Sequence, residues 1–209
     1  MHLLDKLKIK FYHHKRLKKL GNNRARVQGW NSTQSQQNRF QALCQQLDFT
    51  DKSILDLGCG YGDLKQYLDQ SIGRQGGLNN KIASYLGIDQ QNAFIKSAQH
   101  HFINSTNTEF IKADFSTSPL PKVDIIIASG SLNYRSRQQA YHQKLITAMY
   151  ESARYAVAFN MLDSRYFTPG KLLISHDPQK VLKFCRSICT NSQLFDHYAK
   201  NDFTIIMKH

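Results

Sequence analysis

Ile54-Leu-Asp-Leu-Gly-Cys-Gly-Tyr-Gly-Asp-Leu64 sets an apolar run ending in an acid directly before three alternating glycines and the start of a helical pattern. A strand that runs into Gly58, Gly60 and Gly62 can turn tightly and bring its backbone close to a ligand, because no Cβ blocks the approach. The spacing narrows the ligand. A dinucleotide-binding turn of the G-x-G-x-x-G type needs glycine at position 63, where this chain has Asp63, and here an acid, Asp56, stands two residues before the first glycine.

Outward from the loop, Leu64 to Leu68 continue a helix, and an Asn/Gly-rich stretch from Ser71 to Lys81 follows. Ile82 to Ile88 form a second apolar run closed by Asp89. Glu109 to Ala113 form a third, ending in Asp114 and Phe115. Val123 to Ala128 form a fourth, ending in Ser129-Gly-Ser-Leu-Asn133-Tyr134. In a parallel α/β sheet, ligands lie outside the carboxyl ends of the strands, so the residues closing these runs face one site. A carboxylate at the end of the second strand can accept hydrogen bonds from both hydroxyls of a ribose. Singly, each acid reads equally as a helix cap or a solvated loop residue; their order behind the glycine loop favours a site.

The run D-x-G-C-G-x-G and the elements after it resemble the class I S-adenosylmethionine-dependent methyltransferases, and the resemblance covers nearly the whole chain. It implies S-adenosylmethionine as cofactor. Asp56, Gly58, Cys59 and Gly60 match the loop around the methionine part of that cofactor. Asp89 matches the ribose acid, with Gln90 beside it, and Asp114 and Phe115 match the pair at the adenine. Ser129 to Tyr134 match the segment beside the transferable methyl, with Ser129 a cofactor contact and Asn133 and Tyr134 the candidate catalytic residues that orient an acceptor. The segments Gly29 to Phe40 and Ala158 to Leu162, and the tail from Asp177 to Thr204, are similar to a group of small bacterial members of the family. The implied fold is a Rossmann-like, doubly wound, seven-stranded, mostly parallel sheet with a C-terminal antiparallel hairpin.

At 209 residues the chain has the length of one such domain, expected over residues 51–209, with residues 1–50 as a basic, helical N-terminal extension. Downstream, Gln138 to Tyr150 reads as a helix, Ala153 to Asn160 as a fifth strand, and Pro178 to Ser187 as a helix opened by its proline. Gln193 to Tyr198 and Phe203 to Lys208 read as the hairpin. No window is apolar enough to span a bilayer and no apolar leader is present, so a cytoplasmic setting is expected. Cys44, Cys59, Cys185 and Cys189 lack metal-ligand spacing, and no metal site is expected.

The formal net charge is +13, and the first 26 residues hold nine basic side chains against one acid, Asp5. Leu3, Leu7 and Phe11 recur every four residues, which suggests a basic helix with one apolar stripe, able to dock on its own domain, lie on an anionic membrane or track a phosphate backbone. A solvated basic face, contact with RNA through residues 1–26, and an anionic membrane surface are the readings of that charge. Trp30, between this helix and an amphipathic helix carrying Phe40, Leu43 and Leu47, is a packing residue placed to close over the cofactor. His142, His176 and His197 are possible bases, none of them assigned. The loop from Leu162 to Asp177 is the expected substrate wall.

Missing features narrow the acceptor. The segment after strand four lacks the proline pair used on exocyclic base amines, neither Cys185 nor Cys189 has the Pro-Cys context of cytosine C5 methylation, and Glu109 and Glu151 are the only glutamates. A small-molecule acceptor is expected first, an RNA second, and a non-catalytic binding or scaffold role on the same fold third.

Overall fold

A computed structural model describes residues 1–21, 23–74 and 81–209. Seven strands, β1 (Ser53–Leu57), β2 (Ser84–Asp89), β3 (Thr108–Lys112), β4 (Val123–Ala128), β5 (Ala153–Leu162), β6 (Ser192–Phe195) and β7 (Asp202–Lys208), form one sheet in the order β3-β2-β1-β4-β5-β7-β6. The first five are parallel; β7 lies antiparallel to both β5 and β6. This is the doubly wound sheet with the antiparallel ending that the sequence implied.

Strand parity sets the two layers. Ile54, Ile125 and Ile127 face helices α3 (Thr33–Cys44), α4 (Asp63–Arg74) and α5 (Asn92–His101), where Phe40, Leu43, Leu64, Leu68, Ile95 and Ala98 cover them. Leu55, Leu57, Ile126 and Ala128 face the other way, onto Leu145 and Met149 of α6 (Tyr141–Ser152) and Leu182 and Cys185 of α7 (Pro178–Ile188). Strands buried on both faces read as continuous apolar runs, which is why β4 is so plain in the sequence. Each such side chain, fully buried, contributes roughly 1.5–3 kcal/mol. Local chemistry starts the helices: Ser32 caps α3 through the Ser35 N–H, and Asp177 caps α7 through Gln179 and Lys180, with Pro178 at the first turn.

Element bounds differ from the sequence reading in places. β5 continues through Met161 and Leu162 because β7 pairs with it that far, and β6 stops at Phe195, so residues 196–201 rather than four residues link the hairpin. α6 begins at Tyr141, and α4 runs on to Arg74. The remainder of the Asn/Gly-rich insert, residues 75–80, lies outside the described residues.

The N-terminal helix departs most from expectation. α1 (Leu3–Leu20) turns Asp5, Ile9 and His13 inward, while Leu3, Leu4, Leu7 and Phe11 are exposed. Of the roles open to the stripe, docking on the chain's own domain does not hold, because the stripe faces out. Asp5, Ile9 and His13 share the same four-residue spacing, and their polar members find partners inside: Asp5 accepts the Arg137 N–H at 2.8 Å, and His13 meets the Val27 carbonyl and the Tyr134 hydroxyl. A short helix α2 (Arg24–Gln28) follows, and α1 and α2 bring Ile9, Tyr12, His13 and Gln28 to the carboxyl ends of the strands, beside Gly58 and Asp89.

Candidate active site

The chain leaves β1 for β2 on one side and returns to β4 on the other, so a crevice opens at the carboxyl ends of β1 and β4. Gly58 and Gly60 make the turn with φ of +83° and +56°. Both are also close-approach positions: a Cβ on Gly58 would lie 2.6 Å from Ser131 Cβ, and one on Gly60 1.9 Å from Gln28 Oε1. The Gly58 N–H donates to the Ile88 carbonyl at 2.7 Å, tying the loop to β2. Asp89, closing β2, accepts the Gly60 N–H (3.1 Å) and the Gln91 N–H (2.7 Å). Burial raises its carboxyl to about 6, against the pull of those backbone donors.

At the end of β3, Asp114 accepts the Ser116 hydroxyl (2.5 Å) and N–H (2.9 Å) and pairs with Lys6 of α1. Burial pushes this carboxyl up, but Lys6 and Ser116 outweigh it and hold it below the usual carboxylate range. Phe115 and Ala113 line the same side.

Beyond β4, a 3₁₀ turn (Ser131–Asn133) leads to Tyr134. Asn133 Oδ1 accepts the Leu162 N–H at 2.8 Å, and its carbonyl accepts the Ile174 N–H at 2.9 Å, so this residue braces the end of β5 as well as lining the crevice. The Tyr134 hydroxyl lies 2.6 Å from His13 Nε2, and His13 Nδ1 lies 3.3 Å from the Val27 carbonyl. A carbonyl only accepts, so Nδ1 carries the proton, and the Nε2 lone pair receives the Tyr134 O–H. Burial lowers His13 to about 4 and raises Tyr134 well above the usual phenol. Burial thus favours an uncharged, hydrogen-bonded pair at neutral pH, with the His13 ring met edge-on by Tyr12 and Phe94.

A third wall comes from α3 and β7. The Arg39 guanidinium sits 4.8 Å from the Trp30 ring and pairs with buried Asp202; Trp30 in turn packs on Gly130, where a Cβ would come within 2.5 Å of the indole. Asp63, opening α4, accepts Gln28 Nε2 (2.5 Å) and Gln36 Nε2 (3.0 Å) and pairs with Arg24 (3.0 Å). One carboxylate thereby fastens α2 and α3 to the glycine loop.

Gly58, Gly60, Asp89, Gln90, Asp114, Phe115, Ser129, Asn133 and Tyr134 therefore surround one cavity. Asp56 and Cys59 stand outside its lining. Asp56 shares the face of Ile54, beneath the loop, where the Tyr85 hydroxyl donates to it at 2.5 Å; burial nevertheless raises its carboxyl to about 7. Cys59 turns its Sγ toward β2, 2.9 Å from where a Cβ on Gly87 would sit, and burial pushes the thiol far up. Of the expected substrate wall, Leu162, Phe167 and Leu173 line the cavity, whereas Tyr166 is exposed. His142 and His176 pair with each other, ring centroids 4.7 Å apart, outside the cavity lining, and His197 is on the surface. The histidine in the cavity is His13, which the basic run around it disguised; Lys6, Ile9 and Tyr12 enter from the same helix.

The lining also holds buried polar atoms without a hydrogen-bond partner among the described residues: Trp30 Nε1, Arg39 Nε, Gln91 Nε2, Ser131 Oγ and Asp202 Oδ1. Such atoms are costly unless a ligand meets them. Together with two glycines whose Cβ positions are blocked and a ribose-competent carboxylate, they fit an adenosine- and amino-acid-bearing cofactor. Among the described residues, no group of three or more His, Cys, Asp or Glu is placed to hold a metal ion.

Residues 48–205 match a family model described as a methyltransferase domain. The chain is 29% identical over 165 residues to Rv1506c of Mycobacterium tuberculosis, whose own methyltransferase assignment is provisional, covering 75% of this chain and 92% of that protein. Among solved structures, it is similar to magnesium protoporphyrin IX methyltransferase from Synechocystis PCC 6803 with bound S-adenosylmethionine (TM-score 0.67, 14% identity, 98% of this chain and 97% of that one). It is also similar to the N-methyltransferase NodS from Bradyrhizobium japonicum WM9 with S-adenosylhomocysteine (TM-score 0.65, 11% identity, 95% and 98%). At these identities the structural likeness concerns the fold.

Proposed function

Since the chain belongs to the class I S-adenosylmethionine-dependent methyltransferases, we propose that it methylates a small molecule seated between Tyr134 and the α1 wall, with His13 as the terminal proton acceptor. The observation that carries this reading is the 2.6 Å contact between Tyr134 and His13 inside the cavity formed by the glycine loop and Asp89.

When bound, the cofactor supplies a methyl group made electrophilic by its sulfonium. Asp89 would accept the ribose hydroxyls, Asp114 and Phe115 would meet the adenine, and the backbone around Gly58 and Gly60, with Ser129, would border the methionine part. Alignment and exclusion of water then supply most of the acceleration. Asn133 fixes the end of β5 and hence the far wall against which an acceptor rests. Tyr134 contributes the proton path: as an acceptor O–H becomes acidic on forming its new bond to carbon, its proton passes to the Tyr134 oxygen while the Tyr134 proton passes to His13 Nε2. A proton on a newly methylated oxygen is strongly acidic, so a histidine lowered to about 4 suffices to receive it.

The cavity wall contributed by Met1, Lys6, Ile9, Tyr12 and His13 of the N-terminal segment supports an acceptor of small size. So does the acceptor named for the Synechocystis neighbour, a porphyrin. Incubating the protein with methyl-labelled cofactor and a cell extract separated into small-molecule and RNA fractions tests the reading. Label is expected in the small-molecule fraction, and is lost in Tyr134→Phe although that variant binds S-adenosylhomocysteine normally. Label confined to RNA would refute the acceptor class, and full activity of Tyr134→Phe would refute the relay.

A further inference from the structure

Six large apolar side chains are exposed among the described residues, and four of them lie on α1: Leu3 (66%), Leu4 (47%), Leu7 (50%) and Phe11 (58%). At about 100° per residue these four fall within an arc of roughly 100° on the helix. Exposed Lys8 and Lys15 border the arc on one side and exposed Lys10 on the other, with Lys18 extending it by a turn. None of these four lysines pairs with a carboxylate among the described residues. The opposite face, Asp5, Ile9 and His13, is already committed to the protein.

We infer that the outer face of α1 docks flat on an anionic lipid surface, its leucines and Phe11 entering the headgroup boundary and its flanking lysines meeting the acidic headgroups. An apolar stripe edged by lysines on an otherwise polar helix is the pattern that lies in such an interface. The charge argues for this occupant over two others. A phosphate backbone would take up the lysines but leave four apolar side chains with nothing to bury against. A second copy of the chain packed stripe to stripe would bring like-charged lysines together. No helix among the described residues is long and apolar enough to cross a membrane, so the contact is with the surface. Docking leaves the cavity intact, because the same helix lines it with its other face. The inference rests on the exposed face alone and is independent of the acceptor's identity.

Flotation of the full chain tests it, using vesicles of phosphatidylglycerol mixed equally with phosphatidylcholine, and vesicles of phosphatidylcholine alone. The wild-type protein should float with the anionic vesicles and stay behind with the neutral ones. The double variant Leu7→Glu/Phe11→Glu should reduce the floated fraction by about tenfold or more, and Lys8→Gln/Lys15→Gln should reduce it by several-fold. Both alter exposed positions only, and unchanged S-adenosylhomocysteine binding with an unchanged circular dichroism spectrum would show that they are folded. Three results would overturn the inference: no flotation of the wild type, equal flotation of the Leu7→Glu/Phe11→Glu variant, or a wild-type dimer that this variant dissolves.

Discussion

Arg39→Met tests whether the N-terminal helices are built into the catalytic domain. Arg39 of α3 and Asp202 at the start of β7 form an ion pair whose side chains are 9% and 1% exposed. Methionine keeps an apolar stem but removes the charge, so the Asp202 carboxylate stays buried without its partner. Burial already raises this carboxyl, and Arg39 is what opposes it. Breaking a buried pair from one side costs about 3–5 kcal/mol. For a chain of this size each kcal/mol moves the melting midpoint by about 2–4 °C, so calorimetry at pH 7 should show a fall of roughly 6–20 °C. The double variant Arg39→Met/Asp202→Leu removes both charges and should recover most of that loss. The pH dependence has a definite sign. A carboxyl whose folded pKa lies above its unfolded value favours the folded state more as pH falls, so the gap between Arg39→Met and wild type should narrow from pH 7 to pH 5. A fall under 2 °C, or a gap that does not narrow, would show that the pair does not carry this link.

The carboxyl of Asp89 at about 6 predicts that S-adenosylhomocysteine affinity is level above pH 7 and weakens about tenfold per unit below pH 6, since only the ionised form offers both oxygens to the ribose. Asp89→Asn should bind weakly at every pH with no such slope, and a flat wild-type profile from pH 5 to 7.5 would contradict the assignment. Long-range ¹⁵N–¹H spectra should show His13 neutral, with the proton on Nδ1, down to about pH 4–5; an imidazole titrating near 6.5 would dissolve the relay. Gly60→Ala puts a Cβ against Gln28 Oε1 at a left-handed φ, displacing the side chain that holds Asp63. It should lower stability by about 1–2 kcal/mol and cofactor affinity by about tenfold or more, as thermal melts and titration would show.

The sheet half of the site was legible because strands buried on both faces advertise themselves, and the acids closing β2 and β3 stand where such sheets bind ligands. Strand parity explains where Asp56 lies: it alternates with Leu55 and Leu57 and so points into the layer beneath the loop, toward Tyr85, whereas Asp89 accepts the Gly60 N–H from its place in the cavity lining. The N-terminal half was hidden for a different reason. A helix that packs its polar residues inward against a polar cavity inverts the usual pattern, so Leu3, Leu7 and Phe11 mark the outer face, and the position of His13 carries no signal of its own within a run of lysines and arginines. No local signal pairs position 13 with position 134. Arg39 and Asp202 are likewise joined only by the fold, across a separation of 163 residues.

Calorimetric titration with S-adenosylhomocysteine, alongside NAD and an Asp89→Ala variant, tests the central claim most directly. Saturable binding of S-adenosylhomocysteine, lost in the variant and absent for NAD, is the expected result. A folded protein that fails to bind it, or an Asp89→Ala variant that binds as well as wild type, would contradict the assignment of this cavity to the cofactor.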